Sequence, residues 1–274
     1  MHPLLIVAIC VLGFALLSFL SFIILSMPKK SRPEEKWYLS HKFAHRGLHG
    51  DGAAENSLTA FRRAVEAGYG IELDVRLSKD GELMVFHDDT LDRVTDATGR
   101  VDAKTKEELS EIRLLGTEDT VPTFRQVLDL VNGKVPLLVE IKEDAMKTAV
   151  SEKTCEMLAE YKGDFVIESF NPLALGIVKK RLPRAIRGLL SQNYLKQKKY
   201  RKLMYFLLHH FLLNIAAKPM FIAFSHKDAK HSTFRFLKGL YKVPTLAWTV
   251  KSKEDEERAK KNGFDTVIFE GYKA

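Results

Sequence analysis

Cysteine is scarce in this sequence, and its placement serves neither a disulfide framework nor a zinc site. Cys10 and Cys155 are the two cysteines among 274 residues, and Cys10 lies in a long apolar run that hardly allows pairing with a core residue. No set of cysteines and histidines has zinc spacing. A disulfide-dependent fold is therefore excluded, and nothing requires an oxidising compartment.

Low-complexity sequence is also absent. The chain is 46% hydrophobic and 28% charged, with 16 glycines and 9 prolines, which excludes a disordered or collagen-like protein. No internal repeat and no linker divides residues 43–274, so we predict a single domain there.

The net charge of +8 is concentrated in two places. One basic cluster follows the apolar N-terminus, and the second fills a seven-residue block: Lys29, Lys30 and Arg32, then Lys196, Lys198, Lys199, Arg201 and Lys202. Both clusters border strongly hydrophobic stretches, which favours an anionic membrane surface as the partner. No nucleic-acid motif accompanies them, so nucleic-acid binding is not expected.

The N-terminus carries the longest uncharged segment. Residues Leu4 to Met27 contain no charged side chain, and at ~1.5 Å per residue this run spans a hydrocarbon core of roughly 30 Å. We predict a single transmembrane anchor over residues 1–30 and a linker over 31–42. A cleaved signal peptide is the alternative, but no lysine or arginine precedes the run and no small-x-small site ends it. The basic residues after the run predict a cytoplasmic catalytic domain at the cell membrane.

From Phe43 onward, short apolar runs alternate with helical patterns, which indicates a parallel sheet covered by helices. We predict strands over 42–45, 70–75, 137–141, 165–170, 185–190, 220–225, 245–250 and 265–269. Helices are predicted over 56–67, 122–131, 145–161, 172–181, 194–217, 232–240 and 253–261. Eight βα units in about 230 residues fit an α/β fold of the TIM (β/α)8 barrel type. A doubly wound sheet is the alternative, but His45 to Gly50 is not the glycine-rich loop that it needs.

One segment interrupts the βα rhythm. Asp80-Gly81, flanked by alternating residues, predicts a β-hairpin, which would return His87 close to Asp74. Residues 90–120 then form a polar excursion without a strong period. We therefore predict a hairpin and a small insertion over about 76–120, after the second strand.

Acidic residues lie inside predicted strands whose other residues are apolar. Glu72 and Asp74 are two apart and share one face of a strand, and Glu140 and Lys142 do the same on the next strand. Two acids on one face repel each other unless a cation lies between them. Three acids at the mouth of a barrel predict one divalent cation, Mg²⁺ or Ca²⁺. A structural network with Arg46 or Lys142 as counter-ion is the alternative.

Two histidines also reach this mouth. His45 ends the first strand, and His87 ends the hairpin. An acid and a base beside a metal and an arginine–lysine pair suit the cleavage of a phosphodiester. The other seven histidines are interpreted as surface or filler: His2, His41, His49, His209, His210, His226 and His231.

Seven short motifs in order resemble the glycerophosphodiester phosphodiesterase family. They are His45-Arg46-Gly47, Glu55-Asn56-Ser57, Glu72-Leu-Asp74, His87-Asp88, Glu140-Ile-Lys142, Ser169-Phe170 and Trp248-Thr249-Val250. The resemblance implies a TIM barrel that hydrolyses a glycerophosphodiester to glycerol phosphate and an alcohol.

The resemblance also implies roles for individual residues. Glu72, Asp74 and Glu140 would bind the cation, and His45 and His87 would be the general acid and base. Phosphate would be held by Arg46 and Lys142, the alcohol would be flanked by Trp248, and the site would be supported by Glu55. Two positions depart from the family: Ser57 replaces a usual threonine, and Glu270 replaces a usual aspartate in the last strand. We expect the longer arm of Glu270 to affect substrate shape more than catalysis.

A second apolar segment lies within the basic stretch of residues 194–217. Leu203 to Ala217 is too short to span a bilayer and has no polar face. We predict a helix in the membrane interface, which favours a lipid-derived substrate such as a lysophospholipid. A buried helix or a dimer contact is the alternative. For the whole chain, the competing function is a non-catalytic membrane-anchored barrel that binds phosphodiester lipids or a protein partner.

Overall fold

Eight parallel strands close into a barrel in the computed structural model, which describes residues 2–144, 146–196 and 202–274. The ring closes because β1 pairs in parallel with both β2 and β9. A ninth strand, β3, is antiparallel to β2. The strands are β1 Phe43–Ala44, β2 Gly70–Leu77, β3 Leu83–Val85, β4 Leu137–Ile141, β5 Phe165–Ser169, β6 Ile186–Ser191, β7 Phe221–Ser225, β8 Thr245–Val250 and β9 Thr266–Phe269.

Helices cover the outside of the barrel and precede it. They are α1 Pro3–Ser26, α2 Leu58–Glu66, α3 Lys106–Ser110, α4 Phe124–Val131, α5 Ala149–Glu160, α6 Pro172–Arg181, α7 Leu203–His209, α8 Asn214–Ala217, α9 Ser232–Tyr241 and α10 Lys253–Lys261. The TIM-barrel prediction is confirmed, with β4, α6, β8 and α10 at their predicted boundaries and most others shifted by a few residues.

Side chains alternate between the interior and the helix-covered face of each strand. The interior near the amino-terminal ends of the strands is filled by Phe43, Leu138, Val166 and Phe221. Tyr38 packs against Phe221 with ring centroids 5.2 Å apart. Residues 31–42 were predicted as a linker, but Pro33–Ser40 is a 3-10 helix that brings Tyr38 into this buried layer.

The predicted hairpin forms after β2. Gly81 has a φ of +81° at the turn, which suits glycine, and β3 returns along β2 with Val85 opposite Val75. The insertion has a small apolar core of its own, which includes Met84, Phe86 and Leu91. This core holds the end of the hairpin against the barrel mouth.

The helix predicted over residues 194–217 is not continuous. A 3-10 turn over Tyr194–Lys196 is followed by the short helices α7 and α8. Phe211 has a φ of +59° between them, and a left-handed residue ends an α-helix. Three members of the predicted basic cluster, Lys198, Lys199 and Arg201, lie outside the described residues.

The N-terminal helix α1 touches the barrel through its last turns. Residues 3–21 are exposed, while Phe22 and Ile23 are half-buried. The Ser26 carbonyl accepts a hydrogen bond from Asn214 (2.8 Å), and the Ile23 carbonyl accepts one from Tyr241 (2.7 Å). The helix is long and apolar enough to cross a membrane, and a signal sequence passes the same test.

Candidate active site

Three buried carboxylates converge at the carboxyl ends of β2 and β4. Glu72 and Asp74 point into the barrel from β2, and Glu140 lies opposite Asp74 in the parallel pairing with β4. The three residues are at most 6% exposed. One oxygen from each carboxylate lies within 4.8 Å of the other two. The predicted acidic residues are therefore together.

Two cations and a backbone amide contact these acids. The Lys142 ammonium lies 2.5 Å from Glu140 and 3.0 Å from Asp74. The Arg46 Nε lies 3.4 Å from Asp74, and the Arg46 backbone N–H donates to Glu72 (2.8 Å). Both predicted phosphate-binding side chains thus border the carboxylate cluster.

The cluster holds three acids but only two contacting cations in the described part of the chain, and this imbalance shifts the pKa values of the acids. Burial, together with the charges of Asp74 and Glu140, raises the pKa of Glu72 well above its usual range. Burial raises the pKa of Glu140 to about 7 although Lys142 opposes the shift. Burial would also raise the pKa of Asp74, but Lys142, His87 and Arg46 outweigh it and hold that pKa low. Additional positive charge would let all three acids ionise.

The loop before α2 supports the cluster from one side. Glu55 accepts a hydrogen bond from Arg46 (2.7 Å) and pairs with Arg93 of the insertion (2.6 Å). The Asn56 amide donates to Asp74 (2.8 Å). Arg46 and Asn56 both have a φ of +55°, a left-handed conformation that is uncommon outside glycine and that turns the loop back on the site.

His45 is oriented by Glu270 across the closure of the barrel. The His45 Nδ1 lies 2.8 Å from Glu270, whose second oxygen pairs with Lys251 (2.7 Å). The Nε2 of His45 faces the acids, 4.0 Å from Glu72. Burial lowers the pKa of His45, and Glu270 opposes that shift. Glu270 therefore contacts a candidate catalytic residue, whereas the sequence led us to expect an effect on substrate shape.

His87 has a matching carboxylate partner. Its Nδ1 lies 2.5 Å from Asp88, which is itself paired with Arg93 (2.5 Å). Burial, with smaller contributions from Lys142 and Arg46, lowers the pKa of His87 to about 4, while Asp74 opposes the shift. The hairpin thus places His87 where the charges of the site act on it.

Trp248 is connected to this cluster through Phe170. Its ring meets Phe170 edge to face at 5.4 Å, and the Lys142 ammonium lies 6.0 Å from the Phe170 ring. The Trp248 Nε1 is buried and has no hydrogen-bond partner among the described residues. Phe170 and Trp248 form an aromatic wall next to the cation.

Several site residues had no assigned role from sequence alone. Asn56, Asp88 and Arg93 hold the predicted residues in place, as described above. Glu168 of β5 is buried near the cluster, and burial and the charges of Glu140 and Glu72 raise its pKa well above the usual range. His49, interpreted as filler, forms a second donor group with His45 and Glu270, within 4.8 Å of one another. The position of Glu168 near the end of a predicted strand could have indicated a place in the site. No local sequence feature indicates that Arg93 belongs to it.

Comparison with known proteins gives one consistent result. Residues 45–271 match the glycerophosphoryl diester phosphodiesterase family. A glycerophosphodiester phosphodiesterase of Caldanaerobacter subterraneus subsp. tengcongensis is 35% identical over 82% of this chain and 91% of its own length. One of Bacillus altitudinis is 33% identical over 57% of this chain and 68% of its own length.

Solved structures share the fold. An Oleispira antarctica phosphodiesterase in complex with the product sn-glycerol-3-phosphate has a TM-score of 0.71 at 22% identity, over 86% of this chain and 94% of that one. A glycerophosphodiester phosphodiesterase from Thermotoga maritima has a TM-score of 0.63 at 24% identity, over 84% of this chain and 94% of that one.

Proposed function

The chain belongs to the glycerophosphoryl diester phosphodiesterase family and is a phosphodiesterase, and we propose that it uses a divalent cation and two histidines to release glycerol phosphate from a glycerophosphodiester. The observation that carries the proposal is the convergence of Glu72, Asp74 and Glu140 beside Arg46 and Lys142. A scissile phosphodiester carries one negative charge, and this site offers cations for its oxygens.

The donor set fits a hard cation. Glu72, Asp74 and Glu140 supply oxygens only, which suits Mg²⁺ or Ca²⁺. The raised pKa values of Glu72 and Glu140 support this assignment because they mark a shortage of positive charge. When bound, the cation would polarise a phosphoryl oxygen and offset developing negative charge. The mixed nitrogen and oxygen group of His45, His49 and Glu270 is a poorer match for such ions.

Arg46 and Lys142 are assigned to the phosphate. Both side chains are mostly buried, so their charges are weakly screened by water. Glu55 holds the Arg46 guanidinium at 2.7 Å and Arg93 holds Glu55, so Arg46 needs little reorganisation when substrate binds. Trp248 would flank the alcohol moiety together with Phe170.

His45 and His87 are assigned as the acid–base pair. In each histidine a carboxylate contacts Nδ1, so Nε2 is the nitrogen left to exchange a proton. One histidine takes the proton of the attacking water, and the other gives a proton to the leaving alkoxide. The anionic substrate raises the pKa of a nearby histidine, which offsets the lowering caused by burial.

The proposal also makes α1 a membrane anchor. The apolar helix has 24 residues, more than the apolar core of a signal peptide, and no small-x-small site follows it, which supports an anchor over a cleaved signal. Lys29, Lys30 and Arg32 after the helix favour a cytoplasmic barrel.

The purified full-length protein tests the proposal with glycerophosphocholine as substrate. We expect release of glycerol phosphate and choline, and a loss on the order of 10²–10⁴ in rate for His45→Ala and for His87→Ala with the fold retained. Near wild-type turnover in either variant would remove that histidine from the mechanism. No turnover by the wild-type chain on any glycerophosphodiester would overturn the proposal.

A further inference from the structure

A groove of about 540 Å³ leaves the candidate active site toward α7. Its lining includes Glu140 and Lys142 of the carboxylate cluster and charged residues of the loops near the mouth, such as Arg76 and Asp144. The rest of the lining is largely apolar and includes Phe170, Leu173, Met204, Leu208 and Leu213. The volume lies within the roughly 300–1,000 Å³ of small-molecule sites. A polar head beside Lys142 and an apolar tail along the apolar part of the lining would match these walls.

The rim of the groove is unusually apolar for a surface facing water. Large hydrophobic side chains are exposed in the loop after β4, at the start of α6, in the turn after β6 and along α7: Met146, Leu173, Leu195, Leu203, Met204 and Phe206. All six lie on segments that follow β4, β5 and β6, on one side of the barrel mouth, and Met146, Leu173 and Met204 line the groove itself. Exposed apolar side chains gathered beside a groove mark an interaction site.

The contacts of α1 show toward which end of the barrel this helix runs. Its last residues lie at the amino-terminal ends of the strands, because Ser26 contacts Asn214 just before β7 and Ile23 contacts Tyr241 just before β8. One turn earlier, Phe22 and Phe19 pack on Phe236 in the middle of α9, with ring centroids at 5.9 and 6.3 Å. Since α9 runs from the mouth to the floor of the barrel, α1 rises along it toward the mouth.

The exposed residues before Phe19 therefore project on the side of the barrel that carries the active site. If α1 spans a bilayer, the mouth and its apolar rim face the membrane surface. A substrate whose tail remains in the bilayer could reach the cations with its phosphodiester.

From these observations we infer that the groove binds the single acyl or alkyl chain of a phosphodiester lipid taken from the membrane. The inference rests on the proposed function, because it assigns a substrate class to the same site. The phosphodiester lies at Lys142, and the chain passes Phe170 and follows α7. Burial of each methylene contributes to binding, so the chain length of the substrate is the quantity to vary.

The test uses the full-length protein in lipid nanodiscs. The substrates are glycerophosphocholine and lysophosphatidylcholines with hexanoyl, octanoyl and decanoyl chains, with glycerophospho-n-alkanols of equal length as a second arm. The arms show whether the chain enters from the glycerol or from the alcohol end. Each rate is divided by the same variant's rate on glycerophosphocholine. We expect kcat/KM to rise roughly twofold to fourfold per methylene in one arm.

Variants separate groove binding from simple partition into the disc. Met204→Gln combined with Leu208→Gln, and separately Leu173→Trp, should flatten the increase, whereas Leu115→Gln, an exposed residue on the insertion, should retain it. Partition of the substrate into the disc is the same for the wild type and the three variants. Equal slopes of kcat/KM against chain length in all four proteins would therefore overturn the inference. A change of sedimentation in the groove variants, with slopes unaltered, would assign the surface to a second copy of the chain. The absence of wild-type turnover on glycerophosphocholine and on every substrate of both arms would instead refute the proposed function.

Discussion

The contact between Glu270 and His45 gives the most specific prediction, tested by Glu270→Gln. Glutamine keeps the size and an acceptor oxygen, but it removes the charge that faces the His45 Nδ1 at 2.8 Å. Both side chains are about four-fifths buried, so solvent screening is limited. A hydrogen bond to a charged group contributes about 1.5–3 kcal/mol, which corresponds to a roughly 10- to 150-fold fall in kcat.

The pH profile distinguishes orientation from general damage. Glu270 raises the pKa of His45 against the effect of burial, so its neutralisation lowers that pKa further. The limb of the kcat profile that belongs to His45 should therefore move to lower pH in Glu270→Gln, with KM for glycerophosphocholine nearly unchanged. Glu270→Asp, which retains the charge, should restore most of the rate. An unshifted profile with wild-type kcat in Glu270→Gln would refute the role of Glu270.

Three further predictions concern the carboxylates. Glu72→Ala, Asp74→Ala and Glu140→Ala should each abolish turnover and the heat of Mg²⁺ or Ca²⁺ binding in calorimetry, and wild-type binding in any of them would remove that residue from the ligand set. Glu168→Gln should leave the melting temperature unchanged and kcat within about twofold of wild type, because a carboxyl with a raised pKa is already neutral. A large loss of kcat would show that the charge of Glu168 is used. The stabilisation of the fold by added cation should grow as pH rises from about 4.5 to 7. Over this range the unfolded chain releases the Glu140 proton before the metal-free fold does, because the pKa of Glu140 is about 7 in that fold, so the metal-free fold loses stability. A bound cation favours the ionised carboxylate and opposes this loss. Melting temperatures with and without EDTA measure this difference, and a constant difference across that range would contradict it.

Much of the site was predictable because it depends on strand periodicity. Glu72 and Asp74 had to share a face, and the parallel neighbour strand had to bring Glu140 beside them. The hairpin at Asp80-Gly81 likewise follows from local turn chemistry. These relations need only short-range sequence and the rule that parallel strands end at the same rim.

Contacts made by closure of the barrel or by the insertion were not predictable. Glu270 reaches His45 across 225 residues of sequence, and only the pairing of β1 with β9 brings them together. Arg93 lies in a polar excursion with no period, so its contacts with Glu55 and Asp88 had no local signal. The break at Phe211 was missed because uniformly apolar residues mask the end of α7.

The dependence of turnover on a divalent cation tests the central claim most directly. The rate of glycerol phosphate release from glycerophosphocholine is measured on one sample of the full-length protein before EDTA, after EDTA and after excess Mg²⁺ or Ca²⁺ is added back. The arrangement of Glu72, Asp74 and Glu140 predicts that the rate falls to background in EDTA and returns with at least one of the two ions. An undiminished rate in EDTA would contradict the account.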